Sequence, residues 1–244
     1  MTRLLRAELL KLVTTRLLLW LGLLILALEV LVIALHVSQD SLASLAEPRN
    51  QRDVISIAAV SALVSLIVGV VSSAGEYGHG TISHTLLVAP VRERVVAAKL
   101  LAGALAGAGL AAFAGVVAWV LAGLLLSARS VPVHLASAAV MRPLFGTLAA
   151  AAITGAFGVG FGFVLRRQTA AVVVIFVWLL VAEPLLAIAN VDRYGPGHAV
   201  ASVVEAGVQS SGLLAFWPGL LLALAYAAGF GVVGAIFVRR TDVA

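Results

Sequence analysis

Six long apolar runs, separated by polar segments, make up most of the chain. Each run supplies the roughly 20 residues that a helix needs to cross a hydrocarbon core about 30 Å thick. No run alternates apolar and polar residues over strand-length segments, so a helical bundle is the remaining way to satisfy the backbone in lipid. We therefore predict an all-α, polytopic membrane protein that forms a single transmembrane domain over residues 1–244. Its six transmembrane helices are predicted at about residues 17–36, 54–73, 97–126, 143–165, 169–189 and 213–238.

A short amphipathic segment, residues 2–16, precedes the first apolar run. At the α-helical period one face carries apolar side chains and the opposite face carries polar or small ones. These faces are Leu5, Leu9, Leu12 and Val13 on one side and Arg3, Ala7, Lys11 and Thr14 on the other. The pattern predicts an interfacial helix along the inner membrane surface. The alternative is that the segment extends the first span as a positively charged flank.

The composition supports a membrane protein and excludes several other classes. Of the 244 residues, 62% are hydrophobic and 11% are charged, and the mean hydropathy is +1.14. Soluble domains are roughly 45–50% apolar and about 25% charged. Because the chain has no cysteine, disulfides and thiolate metal sites are excluded. The net charge of +5 is better explained by orientation in an anionic membrane than by nucleic acid, which is not a predicted partner.

The distribution of Lys and Arg predicts the orientation of the chain. Eleven of the sixteen basic residues fall on the side that also carries the N-terminus and C-terminus. They are Arg3, Arg6, Lys11, Arg16, Arg92, Arg94, Lys99, Arg166, Arg167, Arg239 and Arg240. The positive-inside rule then places both termini in the cytoplasm of a cell whose plasma membrane holds the protein as a multi-pass chain. The first run is too long for a signal-peptide core and is predicted to be retained.

The connections predicted on the outer side are modest, at residues 37–53, 127–142 and 190–212. None is long enough for an external domain. In the last of them a Gly-Pro-Gly break precedes residues 198–208, which are predicted either as a short helix that dips back toward the bilayer or as a surface loop.

A polar stretch joins the second and third runs, at residues 75–92. Thr81 is placed to cap a helix that begins at Ile82, and Pro90 ends that helix. The pattern predicts one or two helical turns across the inner membrane surface. Because so short a helix is not stable alone, it requires support from the bundle and from a partner beneath. The apolar side chains predicted to grip the bundle are Ile82, Leu86 and Leu87.

The order of residues in this stretch carries a family resemblance. A glutamate ends the second run, a Gly-Thr pair and a leucine-containing segment follow, and a proline, an arginine and a lysine lead into the third run. These residues are Glu76, Gly80, Thr81, Leu86, Leu87, Pro90, Arg92 and Lys99. The pattern resembles the membrane subunits of type-2 ATP-binding-cassette (ABC) exporters, and the N-terminal segment is similar to their amphipathic helix, with Glu8, Lys11 and Arg16 in the matching places. The chain differs from many relatives at Ser83-His84, where an acidic residue often follows the Gly-Thr pair.

The resemblance implies that residues 75–92 hold a coupling helix seated in a cleft of a cytoplasmic ABC ATPase subunit. The implied coupling residues are Glu76, Tyr77, Gly80, Thr81, Ser83, His84, Leu86, Leu87, Pro90 and Arg92. The chain would be the permease subunit of an ATP-driven exporter of amphipathic or hydrophobic compounds, paired with a second copy of itself or a similar permease. The alternative for this stretch is a cytoplasmic hairpin without a partner.

The chain is not predicted to be an enzyme in its own right. No stretch fits GxxxxGK[ST], the pattern that cradles nucleotide phosphates. No cofactor is therefore predicted on this chain, and ATP and Mg would bind the partner subunit. The histidines lack the spacing of a metal site, and no metal ligand is predicted.

Two carboxylic acids fall within the apolar runs. Glu29 lies in the first run and Glu183 precedes Pro184 in the fifth. A charge at such depth costs at least roughly 2.5–3.5 kcal/mol, so these residues are predicted to line the translocation path or the dimer seam. The alternative is that each is protonated or bonded to a neighbour such as His36.

Two other functions remain open at this level. A proton-coupled secondary transporter would use Glu29 and Glu183 and would contain internal inverted repeats. A membrane scaffold would bind a partner without moving any substrate.

Overall fold

The computed structural model of the chain describes residues 1–82, 87, 91–205 and 212–240. The described residues are helical, with no strand among them, which confirms the predicted all-α class. Within this part of the chain six helices are long and apolar enough to cross a membrane, so the chain is a multi-pass membrane protein. We number them from the N-terminus as the first to sixth spans: Arg16–Gln39, Pro48–Gly78, Arg92–Ala128, Ala138–Leu165, Gln168–Ala189 and Phe216–Arg239.

Short helices lie at both ends of the bundle. The N-terminal helix is Thr2–Thr14, and an even number of spans returns the chain to its side. We call that side the terminal end and the opposite side the distal end. The distal end carries a single-turn helix, Leu42–Leu45, and a loop helix, Pro196–Val204. The loop helix packs on the fourth and sixth spans. Of the two predictions for residues 198–208, a short helix and a surface loop, the helix is correct as far as Val204.

The fourth span is the centre of the bundle and packs against the second, third and sixth spans. Glycines allow the backbones to touch. A Cβ placed on Gly155 would lie 2.2 Å from the Gly103 carbonyl oxygen, and one placed on Gly69 would lie 2.2 Å from the Gly155 oxygen. Small residues stabilise helix pairs in lipid through this kind of close approach. The sequence did not identify these contacts, because glycines four apart occur in it about as often as chance predicts.

We expect Gly155→Ala to lower the melting temperature, because the added methyl group would overlap the Gly103 carbonyl oxygen and force two spans apart. Overpacking of this kind costs about 1–3 kcal/mol. The matched control is Gly109→Ala on the third span, where an added Cβ meets no atom within 4 Å. Circular dichroism melts in one detergent compare the two variants. Equal melting temperatures would show that the glycine contact is not tight.

The second span begins earlier than the apolar pattern predicted, because a polar helix, Pro48–Ile55, continues into it. Gln51 in this helix is fully buried. Its Nε2 donates to the carbonyls of Leu45 at 2.9 Å and Pro132 at 2.7 Å, and its Oε1 accepts from the His134 N–H at 2.8 Å. A polar side chain whose hydrogen bonds are all made can be buried, and hydropathy alone does not show that.

The fifth span is the least regular. An α-helix over Gln168–Val177 passes into a π-turn over Trp178–Ala182 and then into Glu183–Leu186. Pro184 accounts for the change, because it lacks an N–H and its ring crowds the carbonyl one turn earlier. The π-turn widens the helix and turns Trp178 toward the space between the spans.

Candidate functional site

Four charged side chains meet at the terminal end, where the N-terminal helix crosses the second and third spans. Glu8 and Lys11 lie one turn apart on the N-terminal helix. Glu76 lies near the end of the second span, and Lys99 lies about two turns inside the third. We call these four residues the terminal charge cluster.

The cluster is a closed ring of ion pairs. Glu8 accepts from the Lys11 Nζ at 2.8 Å through Oε1 and from the Lys99 Nζ at 2.6 Å through Oε2. Glu76 Oε1 accepts from both lysines, at 3.0 Å from Lys11 and 2.8 Å from Lys99. Two carboxylates and two ammonium groups therefore neutralise each other. The ring joins the N-terminal helix to the second and third spans.

The ring is largely hidden from solvent. The exposed side-chain fraction is 2% for Lys99, 5% for Glu8 and 11% for Glu76, whereas it is 47% for Lys11. Buried charges are tolerated only when they are paired, because each gives up its hydration. Loss of one member would leave an uncompensated charge, so the ring strongly favours the arrangement that keeps all four together.

The pairing also sets the protonation of the two groups on the N-terminal helix. Burial alone would raise the pKa of Glu8, but the Lys99 and Lys11 ammonium groups outweigh it and lower the pKa below its ordinary value of 4.5. Burial alone would lower the pKa of Lys11, but its hydrogen bonds to Glu8 and Glu76 outweigh this and raise the pKa above 10.5. Both groups are charged at neutral pH.

The face of the N-terminal helix that meets the bundle differs from the predicted one. Its leucines pack against the core as expected, but the fourth predicted member, Val13, is 70% exposed. Glu8 is buried on that face instead. The helical pattern could not anticipate this, because the partner that makes the burial possible, Lys99, lies 91 positions further along the chain.

Two predicted coupling residues anchor the ends of the loop between the second and third spans. The Tyr77 ring meets Phe163 of the fourth span edge-on, with centroids 6.3 Å apart. Arg92 Nη1 donates to the Val238 carbonyl at 2.8 Å, so it satisfies a terminal carbonyl of the sixth span. The start and the end of the loop are thus each attached to another span.

Gly80 and Thr81 form the turn that ends the second span. Gly80 has a φ of +67°, which glycine adopts without strain. Its N–H donates to the Tyr77 carbonyl at 3.3 Å, and the Thr81 N–H donates to the Glu76 carbonyl at 3.0 Å. This pair of bonds is the Schellman motif, which satisfies the last carbonyls of a helix. The capping of a following helix by Thr81 stays a prediction.

The predicted coupling helix lies mainly outside the described residues, and so do four of its predicted contact residues, Ser83, His84, Leu86 and Pro90. Ile82 is buried with Val95 and Phe163, as predicted. Leu87 is 79% exposed, so the prediction that it grips the bundle is wrong.

Glu29 faces the interior of the chain from the middle of the first span. Its side chain is fully buried on the same face as Ile25 and Ile33, and neither carboxyl oxygen has a hydrogen-bond partner among the described residues. The alternative of a bond to His36 is wrong, because the imidazole Nε2 of that residue lies 3.2 Å from Asp40 instead. A role for Glu29 in the translocation path or a dimer seam stays a prediction.

Glu183 holds the start of the loop helix. Its carboxylate accepts from the backbone N–H groups of Gly197 at 3.1 Å and His198 at 2.7 Å, and the His198 Nδ1 lies 3.0 Å from the same group. A Cβ on Gly195 would lie only 2.3 Å from a Glu183 oxygen. The alternative prediction, that Glu183 is bonded to a neighbouring group, is therefore correct. The neighbour is the N-terminus of the loop helix, which the sequence did not suggest.

We expect Glu183→Ala to loosen the loop helix without unfolding the bundle, because helix caps contribute about 0.5–2 kcal/mol. Hydrogen exchange in residues 196–204 is expected to accelerate by up to about tenfold. Glu183→Gln is the control, since its amide oxygen still accepts one backbone bond and should preserve part of the protection. Unchanged exchange in Glu183→Ala would mean that the carboxylate does not cap the helix.

The described residues contain no group of three or more His, Asp or Glu side chains that could hold a metal ion. No known protein-family model matches the sequence, and no curated protein matches it.

Proposed function

We propose that the chain is the permease subunit of an ATP-driven exporter of the type-2 ABC class. In this proposal the terminal end faces the cytoplasm, the N-terminal helix lies along the inner surface of the plasma membrane, and residues 75–92 dock on a separate ATPase subunit. The cargo is an amphipathic or hydrophobic compound that leaves the cell.

The observation that carries the proposal is the terminal charge cluster. It joins the N-terminal helix, the second span and the third span, and its member Glu76 lies two residues before the end of the second span, where the loop begins. A displacement of the loop would therefore reach three helices at once, since the buried ring resists separation of its members. A mechanical connection of this kind is what a chain needs if it receives work from another polypeptide.

The two anchors of the loop support the same interpretation. The Schellman turn at Gly80 and Thr81 fixes the start of the loop. The hydrogen bond from Arg92 to the end of the sixth span fixes the end of the loop. Between them Leu87 presents an exposed apolar side chain. In the proposal it enters the ATPase cleft, which would cover it with protein.

The energy source in this proposal is external to the chain. The sequence lacks a P-loop, so ATP and its Mg would bind the partner subunit. Two six-span chains, identical or similar, would face each other around the path of the cargo.

The experiment is co-expression with a candidate P-loop ATPase, sought first in the neighbouring reading frames, followed by purification and measurement of ATP hydrolysis. The proposal predicts a stable complex whose hydrolysis rate depends on this chain. Joint replacement of Gly80, Thr81 and Leu86 is expected to abolish that dependence. Gly80→Asn alone is the control, because asparagine tolerates a left-handed backbone. A complex unaltered by the triple replacement would contradict the coupling role.

Glu29 favours a second candidate, a proton-coupled transporter, because its fully buried carboxyl group has no hydrogen-bond partner in the described part of the chain and is suited to carry a proton. Proton-driven uptake by vesicles that lack any ATPase, lost in Glu29→Gln, would favour that candidate over the exporter.

A further inference from the structure

A cavity of about 700 Å³ lies between the second, fourth, fifth and sixth spans, on the distal side of the bundle. The loop helix closes it on the distal side, and the fourth span forms its back wall. Pockets that take small organic molecules measure about 300–1,000 Å³, so the cavity has room for one such molecule. The terminal charge cluster is not part of it.

Five aromatic side chains form part of an otherwise mainly aliphatic wall. Phe157 and Phe161 of the fourth span stack with ring centroids 5.8 Å apart, and Phe230 of the sixth span meets them at 5.0 Å and 5.3 Å. Trp178 joins from the π-turn of the fifth span, and Tyr226 from the sixth. Such rings attract a further ring through stacked and edge-to-face contacts as well as through burial of apolar surface.

Three polar side chains in the wall, Thr154, Tyr226 and Glu205, already have partners within the chain. The Thr154 hydroxyl donates to the Ala62 carbonyl at 2.8 Å, and the Tyr226 hydroxyl donates to the Tyr194 carbonyl at 2.9 Å. Glu205 at the rim is paired with Arg52. A charged ligand would lose its hydration here without gaining an ion partner, so the cavity selects against it.

We infer that the mouth of the cavity is the gap between the fifth and sixth spans, which both line it. Both spans pack on the fourth span or its neighbours, but they make little direct contact with each other. Val174 and Trp178 at this mouth are 44% and 41% exposed. In a membrane this opening faces the hydrocarbon layer, which is the phase in which an uncharged apolar compound is most concentrated.

We propose that this cavity, which one chain lines by itself, binds the cargo, and that the cargo is an uncharged molecule with an aromatic ring system that enters from the lipid layer. The inference rests on the proposed function, because it makes that molecule the exported compound. Phe157, Phe161 and Phe230 bind the ring system, and Trp178 lies at its entrance.

The test uses N-phenyl-1-naphthylamine, a neutral aromatic fluorophore, with the full chain in phosphatidylcholine nanodiscs. Replacing Trp20, Trp119 and Trp217 with Phe leaves Trp178 as the only energy donor. Saturable energy transfer from Trp178 to the probe is expected. Ala201→Phe, which fills the cavity from the loop helix, should weaken binding about tenfold or more. Ala225→Phe, on the exposed side of the sixth span, should change it less than twofold.

Three results would overturn the inference: a signal that rises without saturating in every variant, saturable binding that Ala201→Phe leaves unchanged, or a co-purified phospholipid that the probe does not displace. Should Ala201→Phe fail to fold, Ala59→Phe fills the cavity from the second span and gives the same comparison. No ATPase is present in this assay. Lost binding with intact ATPase coupling would therefore refute the cargo site alone, and intact binding with absent coupling would refute the proposed function alone.

Discussion

Lys99→Met is expected to lower the free energy of unfolding by about 3–5 kcal/mol, the cost of leaving buried charge uncompensated. The change removes an ammonium group that is 2% exposed and contacts both Glu8 and Glu76. Lys11 would then be the only cation opposite two carboxylates. The melting temperature of the purified protein should fall clearly, and the N-terminal helix should become sensitive to protease.

Two controls separate lost pairing from lost packing. Lys11→Met makes the same chemical change at a site that is 47% exposed, where water replaces part of the lost pairing, so we expect a smaller loss of stability than in Lys99→Met. The double variant Glu8→Gln with Lys99→Met restores the balance of charge, and we expect it to be more stable than Lys99→Met alone. If Lys99→Met alone has the same melting temperature as the wild-type protein, the ring does not hold the helices together.

The same ring gives a pH dependence with a defined sign. The pKa of Glu8 is lowered in the folded chain, so its ion pairs stabilise the fold at pH above the ordinary value of 4.5. This stabilisation is lost as pH falls through the lowered folded-state pKa. As the pH is lowered from neutral to acidic, the melting temperature should therefore fall more steeply for the wild type than for Glu8→Gln. Parallel curves would indicate that Glu8 is not engaged.

Leu87→Glu is expected to abolish coupling to the ATPase subunit while leaving the fold unchanged. Leu87 is 79% exposed in the isolated chain, so a charge there does not disturb the bundle. In the proposed complex the same position is covered, and burying an unpaired carboxylate at an apolar anchor weakens binding by about 2 kcal/mol or more. Co-purification of the ATPase and stimulation of ATP hydrolysis should both be lost.

Leu87→Met is the matched control, because it keeps an apolar side chain of similar volume. It should retain both the complex and the stimulated hydrolysis. If Leu87→Glu behaves like Leu87→Met, position 87 does not contact the ATPase, and the docking surface must lie elsewhere on the terminal end.

The six spans were predictable because lipid imposes a simple rule, namely a long run of apolar residues in a helix. The rule failed where a polar side chain is buried with its hydrogen bonds satisfied. Gln51 is the clearest case, since its partners come from backbone groups near residues 45 and 132–134. A boundary set by hydropathy therefore placed the start of the second span too late.

The candidate site was predictable only in part. The stretch after the second span pointed to Glu76 and Lys99 individually, but no spacing in the sequence shows that Glu8 meets Lys99 across 91 positions. The role of Glu183 was hidden for the same reason, because its partners are backbone N–H groups of a helix that forms only in the folded chain. Long-range pairing depends on the packing of whole spans, which a single sequence does not contain.

The proposed coupling to the ATPase and the proposed binding of cargo involve two different regions of the molecule. The terminal end carries the charged ring and the loop, and the distal side carries the aromatic cavity. The third and fourth spans, packed through Gly103 and Gly155, run between them. A rigid contact of this kind would transmit motion from the loop to the cavity, and the melting behaviour of Gly155→Ala tests its tightness.

The most direct test of the central claim is the sidedness of position 87. The chain has no cysteine, so Leu87→Cys introduces a single thiol at an exposed position. We predict that a membrane-impermeant maleimide does not label this thiol in intact cells but labels it in inside-out vesicles. Binding of the ATPase subunit to the vesicles should block the labelling. Labelling in intact cells would place the loop outside the cell and contradict the account.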